Sequence, residues 1–260
     1  MEKWAMVTGA CVNTGAAIVE KFAGEGENVV FTGRNIERVR EAEERYKAKF
    51  PGAKIIGERL DALDENGNVN ENGVRETFER LDGRGVFVSD LVLNAADLGV
   101  GFDALESPLN EFLKVVNTNV SWNFCLIQNA ARRMKEHGGG SVTFINSNTA
   151  YRAIPCRAAY SASKGGQLGL MRALALDLGK YKIRVNAVLP GMIHTDRTDK
   201  NPEFYKSVPS AYSPLGTIAE GSDIAEAAWY FAAHANNTTG AELTVDCGNM
   251  IQLYPVIPKD

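Results

Sequence analysis

In the stretch AAYSASKGG, residues 158–166, Tyr160 precedes Lys164 by four positions. On an α-helix that spacing puts both side chains on one face, a turn apart. A free phenol titrates near pKa ~10, too high to exchange protons readily at neutral pH. A nearby cation favours the phenolate and lowers that value. The pair therefore has the makings of an acid catalyst and the charge that tunes it. It equally has those of a half-buried helical tyrosine beside a solvated lysine, and two residues alone do not separate the readings. A second chemical stretch, VTGACVNTGAAIVEKFA, residues 7–23, runs from a strand-like segment straight into a helix-like one. A helix start offers free N–H groups and a positive dipole end, which suit a pyrophosphate, and Gly9 and Gly15 let the backbone approach it.

Such residues need a frame. Short runs rich in Val, Ile and Phe (WAMVTG, NVVFTG, AKIIG, VSDLVLN, SVTFIN, IRVNAVLPG and AELTVD) read as strands. Helix-like segments lie between them, at about 14–24, 35–50, 73–81, 108–137, 158–179 and 222–234. Steady alternation predicts an α/β protein: a doubly wound, Rossmann-type parallel sheet of about seven strands with helices on both faces. Residues 1–260 are expected to form one domain. The polar stretch at 64–73 reads as a surface loop. The long Pro-containing stretch at 192–217 follows a strand end, where open α/β sheets hold ligands, and reads as a substrate lid with a short helix inside.

Composition narrows the function. Apolar residues make up 45% and charged residues 23% of the chain, enough for a sizeable core. The formal net charge of −4 argues against nucleic acid, because phosphate binding needs a basic face. Cys11, Cys125, Cys156 and Cys247 form no C-x-x-C pair and no cluster with metal-ligand spacing, so no metal is expected. The opening MEKWAMVTGA lacks a signal-peptide pattern, and no apolar run reaches the roughly 18 residues of a membrane span. The expectation is a reduced, cytoplasmic protein with no membrane partner. Where FTGRN closes the second strand, an NAD enzyme usually carries an acid. Arg34 stands there instead and can pair a 2′-phosphate, which points to NADP(H), with NAD(H) the alternative.

Taken together, the chain resembles the short-chain dehydrogenase/reductase family in its compact form, over nearly its whole length. TGACVNTG matches the family's T-G-x-x-x-G-x-G, with Asn13 in place of the middle glycine. Asn is the non-glycine residue that best tolerates a left-handed backbone. The resemblance implies cofactor contacts from Gly9, Asn13, Thr14, Gly15, Asp61 of RLDAL (against the adenine), and Asn94 and Ala95 of LNAAD. It adds Pro190, Gly191 and Thr195 of PGMIHT, with Tyr160 and Lys164 near the nicotinamide ribose. TVDCG resembles D-G-G, with Cys247 substituting. The implied catalytic residues are Asn119 of TNVSWNF, Ser147 thirteen positions before the tyrosine, Tyr160 and Lys164. Asn117 is the alternative to Asn119. Ser147 polarises a carbonyl oxygen, Tyr160 donates its proton as hydride arrives, Lys164 lowers the phenol's pKa, and Asn119 holds a water that recharges the acid.

The resemblance also implies a small-molecule ketone, aldehyde or alcohol as substrate. Substrate contacts are expected from 148–157 and 192–212: Asn148, Thr149, Ile154, Arg157, Met192, His194 and Tyr205. Fatty-acid reductases of the family often carry an arginine where Leu176 stands, to dock an acidic carrier protein. A homotetramer or homodimer built through 108–137 and 158–179 is expected. A dinucleotide-binding protein without turnover is the reading from another class.

Overall fold

Trp4 and Met6 of the first strand pack into one apolar cluster, and Ala5 and Val7 into another. A strand buried on both faces needs a helical layer on each side. The computed structural model, which describes residues 2–203, 206–207 and 212–252, has this arrangement. Strands β1 (Glu2–Val7), β2 (Asn28–Gly33), β3 (Ile55–Arg59), β4 (Val86–Leu93), β5 (Gly140–Ile145), β6 (Ile183–Pro190) and β7 (Glu242–Val245) form one sheet in the order 3-2-1-4-5-6-7. Every pairing is parallel. The order reverses between β1 and β4, so the crevice at their carboxyl ends is the place for a ligand.

Helices α1 (Asn13–Gly24) and α2 (Ile36–Lys49) cover one face, with Ile18, Phe22, Val39 and Tyr46 buried there. Helix α3 (Glu71–Gly83) covers the other, with Phe78 and Leu81 inward. Its start differs from the expected loop at 64–73. Asn70 accepts the Gly73 N–H at 3.0 Å, and that N-cap begins the helix at Glu71. The expected helix at 108–137 is α4 (Leu109–Val116) and α5 (Trp122–Glu136), joined by a π-turn at Asn117–Ser121. The turn adds one residue to the coil, and the Trp122 N–H reaches back to the Asn117 carbonyl. Helix α6 (Ala158–Gly179) carries Tyr160 and Lys164.

The stretch at 192–217 leaves β6 through a bridge between Ile193 and Ala219 and contains the one-turn helix α7 (Asp196–Asp199). It returns to α8 (Gly221–Trp229), which packs against α1.

Phe144, fully buried on β5 among the residues of the α3–α5–α6 side, tests this core. Phe144→Ala should lower unfolding free energy by about 3–5 kcal/mol, read from urea denaturation.

Candidate active site

The turn between β1 and α1 is held open by its own backbone. Gly9 has φ +64°, and a Cβ there would lie 2.8 Å from the Ala95 Cβ. A Cβ on Gly15 would come within 2.6 Å of both the Gly9 carbonyl and the Asn94 amide. Asn13 takes φ +52°, the left-handed conformation expected of it. Its Oδ1 accepts the Asp196 N–H at 3.3 Å, tying the turn to α7. No side chain caps the start of α1, which leaves its first N–H groups for an anion. These features fit a dinucleotide pyrophosphate. Asn94 braces the turn, donating to the Thr8 and Gly9 carbonyls at 3.0 Å each. Thr8 is a residue the sequence reading missed: its Oγ1 accepts from the Asn94 and Ala95 N–H groups at 3.0 Å, joining the ends of β1 and β4.

Arg34 is exposed just past β2, where the Arg59 guanidinium holds its carbonyl at 3.2 Å. Arg59 also pairs with Asp61 at 3.1 Å. Arg38 and Arg45 both act on the Cys11 thiol in the glycine turn, and Arg45 donates to the Cys11 carbonyl at 2.8 Å. Arg38 is therefore a second cation on this side that the sequence reading passed over. Gly191 receives its shape from packing, since a Cβ would lie 2.7 Å from the Asp246 Cβ. Thr195 opens α7, its N–H donating to the Thr198 hydroxyl at 3.0 Å.

The catalytic candidates converge. Ser147 follows β5 with its N–H donating to Asn146 Oδ1 at 2.7 Å, and its side chain acts on the Tyr160 phenol, favouring the phenolate. Lys164 is 1% exposed. Its Nζ donates to the Ile145 carbonyl at 2.9 Å and to Gln167 Oε1 at 3.3 Å, and it lies 5.6 Å from the centre of the Tyr160 ring. Asn119 sits in the π-turn at 0% exposure. Its side chain clasps the Asp97 backbone, accepting its N–H at 2.7 Å and donating to its carbonyl at 2.9 Å. A further bond runs to Ser163 Oγ at 2.9 Å.

Two expectations change. Burial pushes the Tyr160 phenol above its ordinary value, and the groups that oppose this are Ser147, Arg157 and Arg197 rather than Lys164. The sequence argument counted a cation's attraction and left out desolvation. Lys164 is itself lowered to about 7, by burial alone. The expected water on Asn119 also meets a filled position. The Asn119 carbonyl already accepts from Asn123 Nδ2 at 2.8 Å and Gln167 Nε2 at 2.7 Å, one for each lone pair.

Beside Tyr160 runs a crevice lined by Leu98, Val100, Phe102, Phe112, Val115 and Arg157. Most of this wall comes from residues 98–115, the segment after β4 together with α4, outside the two stretches the sequence singled out. Arg157 is fixed there, donating to the Leu98 carbonyl at 3.1 Å and the Gly99 carbonyl at 2.6 Å. The other substrate candidates scatter. Ile154 is exposed, Thr149 is buried behind Ser147, and Asn148 donates to Asn249 Oδ1 at 3.0 Å. The Met192 carbonyl accepts the Ala219 N–H at 3.1 Å. His194 is held by Asp199 at 2.8 Å and Glu220 at 3.3 Å, which raise its pKa, so its ring serves as a strut of the 192–217 segment. Tyr205 lies outside the described residues. Among the described residues no cluster of His, Cys, Asp or Glu could hold a metal, and no helix is long and apolar enough to cross a membrane.

A proton donor beside a dinucleotide cradle is what hydride transfer to a carbonyl requires, and fold and site together define an oxidoreductase. The chain belongs to the short-chain dehydrogenase/reductase family: residues 9–249 match the family model described as Enoyl-(Acyl carrier protein) reductase. It is 36% identical over 247 residues to 3alpha-hydroxysteroid dehydrogenase of Mediterraneibacter gnavus, covering 94% of this chain and 95% of that protein. It is 32% identical over 260 residues to L-rhamnose 1-dehydrogenase (NAD(P)(+)) of Azotobacter vinelandii, covering 97% and 98%. The crystal structure of acetoin dehydrogenase from Salmonella typhimurium matches with a TM-score of 0.82 at 29% identity, over 96% of this chain and 98% of that one. The chain is thus an enzyme of the alcohol–carbonyl oxidoreductase type.

Lys164 makes a pH signature measurable without substrate. Its folded pKa of about 7 lies below the ordinary lysine value of 10.5. Between these values the unfolded chain binds a proton that the folded chain does not, so stability rises with pH through that window. Lys164→Met should remove this rise. The gap between wild type and variant should change by up to about 1.4 kcal/mol per pH unit above neutrality, read from urea unfolding at several pH values.

Proposed function

We propose that this enzyme reduces a ketone on an apolar skeleton, with NADPH as the hydride donor and Tyr160 as the proton donor. The observation that carries the reading is the convergence of Tyr160 with Ser147 and the buried Lys164 at the crevice; burial raises the phenol's pKa and so keeps on it the proton that a developing alkoxide needs. The dinucleotide, when bound, supplies the hydride. The chain's residues do the rest. Ser147 and the phenol hydrogen-bond the substrate oxygen together, and the phenol passes its proton to it as negative charge develops. Arg157 and Arg197 act on the same phenol and favour the phenolate left behind, while Lys164 lies 5.6 Å from the centre of its ring. Asn119 holds the Asp97 loop beside the site and so positions the crevice wall.

NADP is supported by Arg34, with Arg38 beside it, and by the absence of an acid at the end of β2. Apolar substrate is supported by Leu98, Phe102 and Phe112 along the crevice. The same wall supports a second reading, an NAD-dependent hydroxysteroid dehydrogenase, since the relative named 3alpha-hydroxysteroid dehydrogenase is similar along 94% of this chain. An acidic carrier protein fits poorly, because Leu176 is 84% exposed where a cation would be needed. Residues 192–217 act as the lid within one domain. Exposed Leu109, Leu113, Phe124 and Leu176 on α4, α5 and α6 support a homo-oligomer, dimer or tetramer. Four free cysteines suit a reducing cytoplasm.

Tyr160→Phe should lower kcat by about 10²–10⁴-fold while leaving NADPH affinity, read by cofactor fluorescence, within about twofold. Full turnover in that variant would refute the mechanism. Arg34→Ala should weaken NADPH by about 10- to 100-fold and NADH hardly at all, measured as KM for each at the reduced-nicotinamide absorbance.

A further inference from the structure

Gln167 lies seven residues beyond Tyr160 and three beyond Lys164 on α6, and it is 1% exposed. Its Nε2 donates to the Asn119 carbonyl at 2.7 Å. Its Oε1 accepts from Asn146 Nδ2 at 3.0 Å and from Lys164 Nζ at 3.3 Å. The orientation of the amide is not arbitrary. Asn119 offers a carbonyl, which only accepts, and Lys164 offers an ammonium, which only donates, so the oxygen must face the lysine. One side chain thus joins three parts of the site: the π-turn between α4 and α5, the end of β5, and the buried cation.

The ammonium has two acceptors here, the Ile145 carbonyl and Gln167 Oε1. The first is backbone and is set by the sheet. The second is the part of the anchorage that a side chain controls. An amide is neither acid nor base near neutrality, so it holds the Asn119 carbonyl without relaying a proton. The titratable and charged groups facing the pair are Tyr160 on the same helix and Arg157 and Arg197, which act on the phenol; among the described residues no carboxylate acts on Lys164.

We propose that Gln167 is a positioning residue: its amide, braced by Asn146 and the Asn119 carbonyl, holds the Lys164 ammonium at the floor of the site. The proposal rests on the oxidoreductase reading for its catalytic consequence, but its structural core is testable without turnover. The 13Cε shift of Lys164, assigned with Lys164→Met, is followed against pH in ligand-free protein. Gln167→Leu removes the acceptor and should cost the ammonium roughly tenfold in proton affinity. Gln167→Glu keeps the shape, adds a negative charge, and should move the midpoint the other way. The alkaline fall of kcat for carbonyl reduction should shift with each midpoint, while KM for the carbonyl substrate stays within about twofold.

If Gln167→Leu does not fold, as judged by its melting curve, Gln167→Glu decides alone. A wild-type Lys164 midpoint in every folded variant overturns the proposal. Tyr160→Phe keeps the two ideas apart. Lost turnover in Tyr160→Phe together with unmoved midpoints refutes the role of Gln167 only, whereas retained turnover with shifted midpoints refutes the mechanism only.

Discussion

A lysine ammonium taken wholly out of water needs a carboxylate or a set of oxygens aimed at it, because desolvation otherwise drives off its proton. Among the described residues no carboxylate acts on Lys164. It has the Ile145 carbonyl at the end of β5 and the amide oxygen of Gln167, and burial still brings its pKa down to about 7. Much of the local architecture follows from keeping those oxygens in place. Asn146, next along from Ile145, donates to the Lys164 carbonyl and to Gln167 at 3.0 Å each, which locks strand end and helix together. The π-turn turns the Asn119 carbonyl toward Gln167 and Asn123. A regular coil would commit that carbonyl to the N–H four residues on.

The dinucleotide side is organised by the opposite need. There the ligand would bring the charge, and the protein has to leave donors unpaired and keep side chains away. Gly9 and Gly15 supply clearance, and Thr8 and Asn94 stop the two strand ends from drifting apart across the switch point. One half of the site is thus a saturated polar network around a buried cation. The other is a deliberately unsatisfied helix start. They meet at the carboxyl edge of the sheet because β1, β4 and β5 are neighbours there.

How much of this was legible follows from what leaves a mark in one dimension. The strands showed because β-branched runs bounded by turn residues are local. Tyr160, Lys164, Ser147 and Asn119 showed because their order and spacing are specific. The π-turn did not show, since one extra residue in a long helix alters no composition. Gln167 gives no signal until its partners Asn146 and Asn119, 21 and 48 positions away, are in place. The loop part of the crevice wall, from Leu98 to Phe102, was missed because a loop's inward face has no period. The early start of α3 was within reach, for Asn70 three residues before Gly73 is an ordinary cap. The rise in the Tyr160 pKa was not, because desolvation is a property of the assembled site and only the charges were visible in the chain.

Asn13 shows how a departure from a motif can be absorbed and used. A non-glycine residue in the left-handed region costs roughly 1–2 kcal/mol, less for Asn, whose short side chain can bond locally. At φ +52° Asn13 carries that strain, and its Oδ1 takes the Asp196 N–H at the start of α7. A hydrogen bond of this kind returns about 0.5–1.5 kcal/mol, so strain and bond come out close to level. A glycine would avoid the strain but could not make the bond. The exchange leaves the stability of the turn little changed while fastening the first turn of the 192–217 segment to the glycine turn between β1 and α1. Ligand-side geometry and segment position are thereby mechanically linked through one side chain, in a place where the usual glycine would leave them independent.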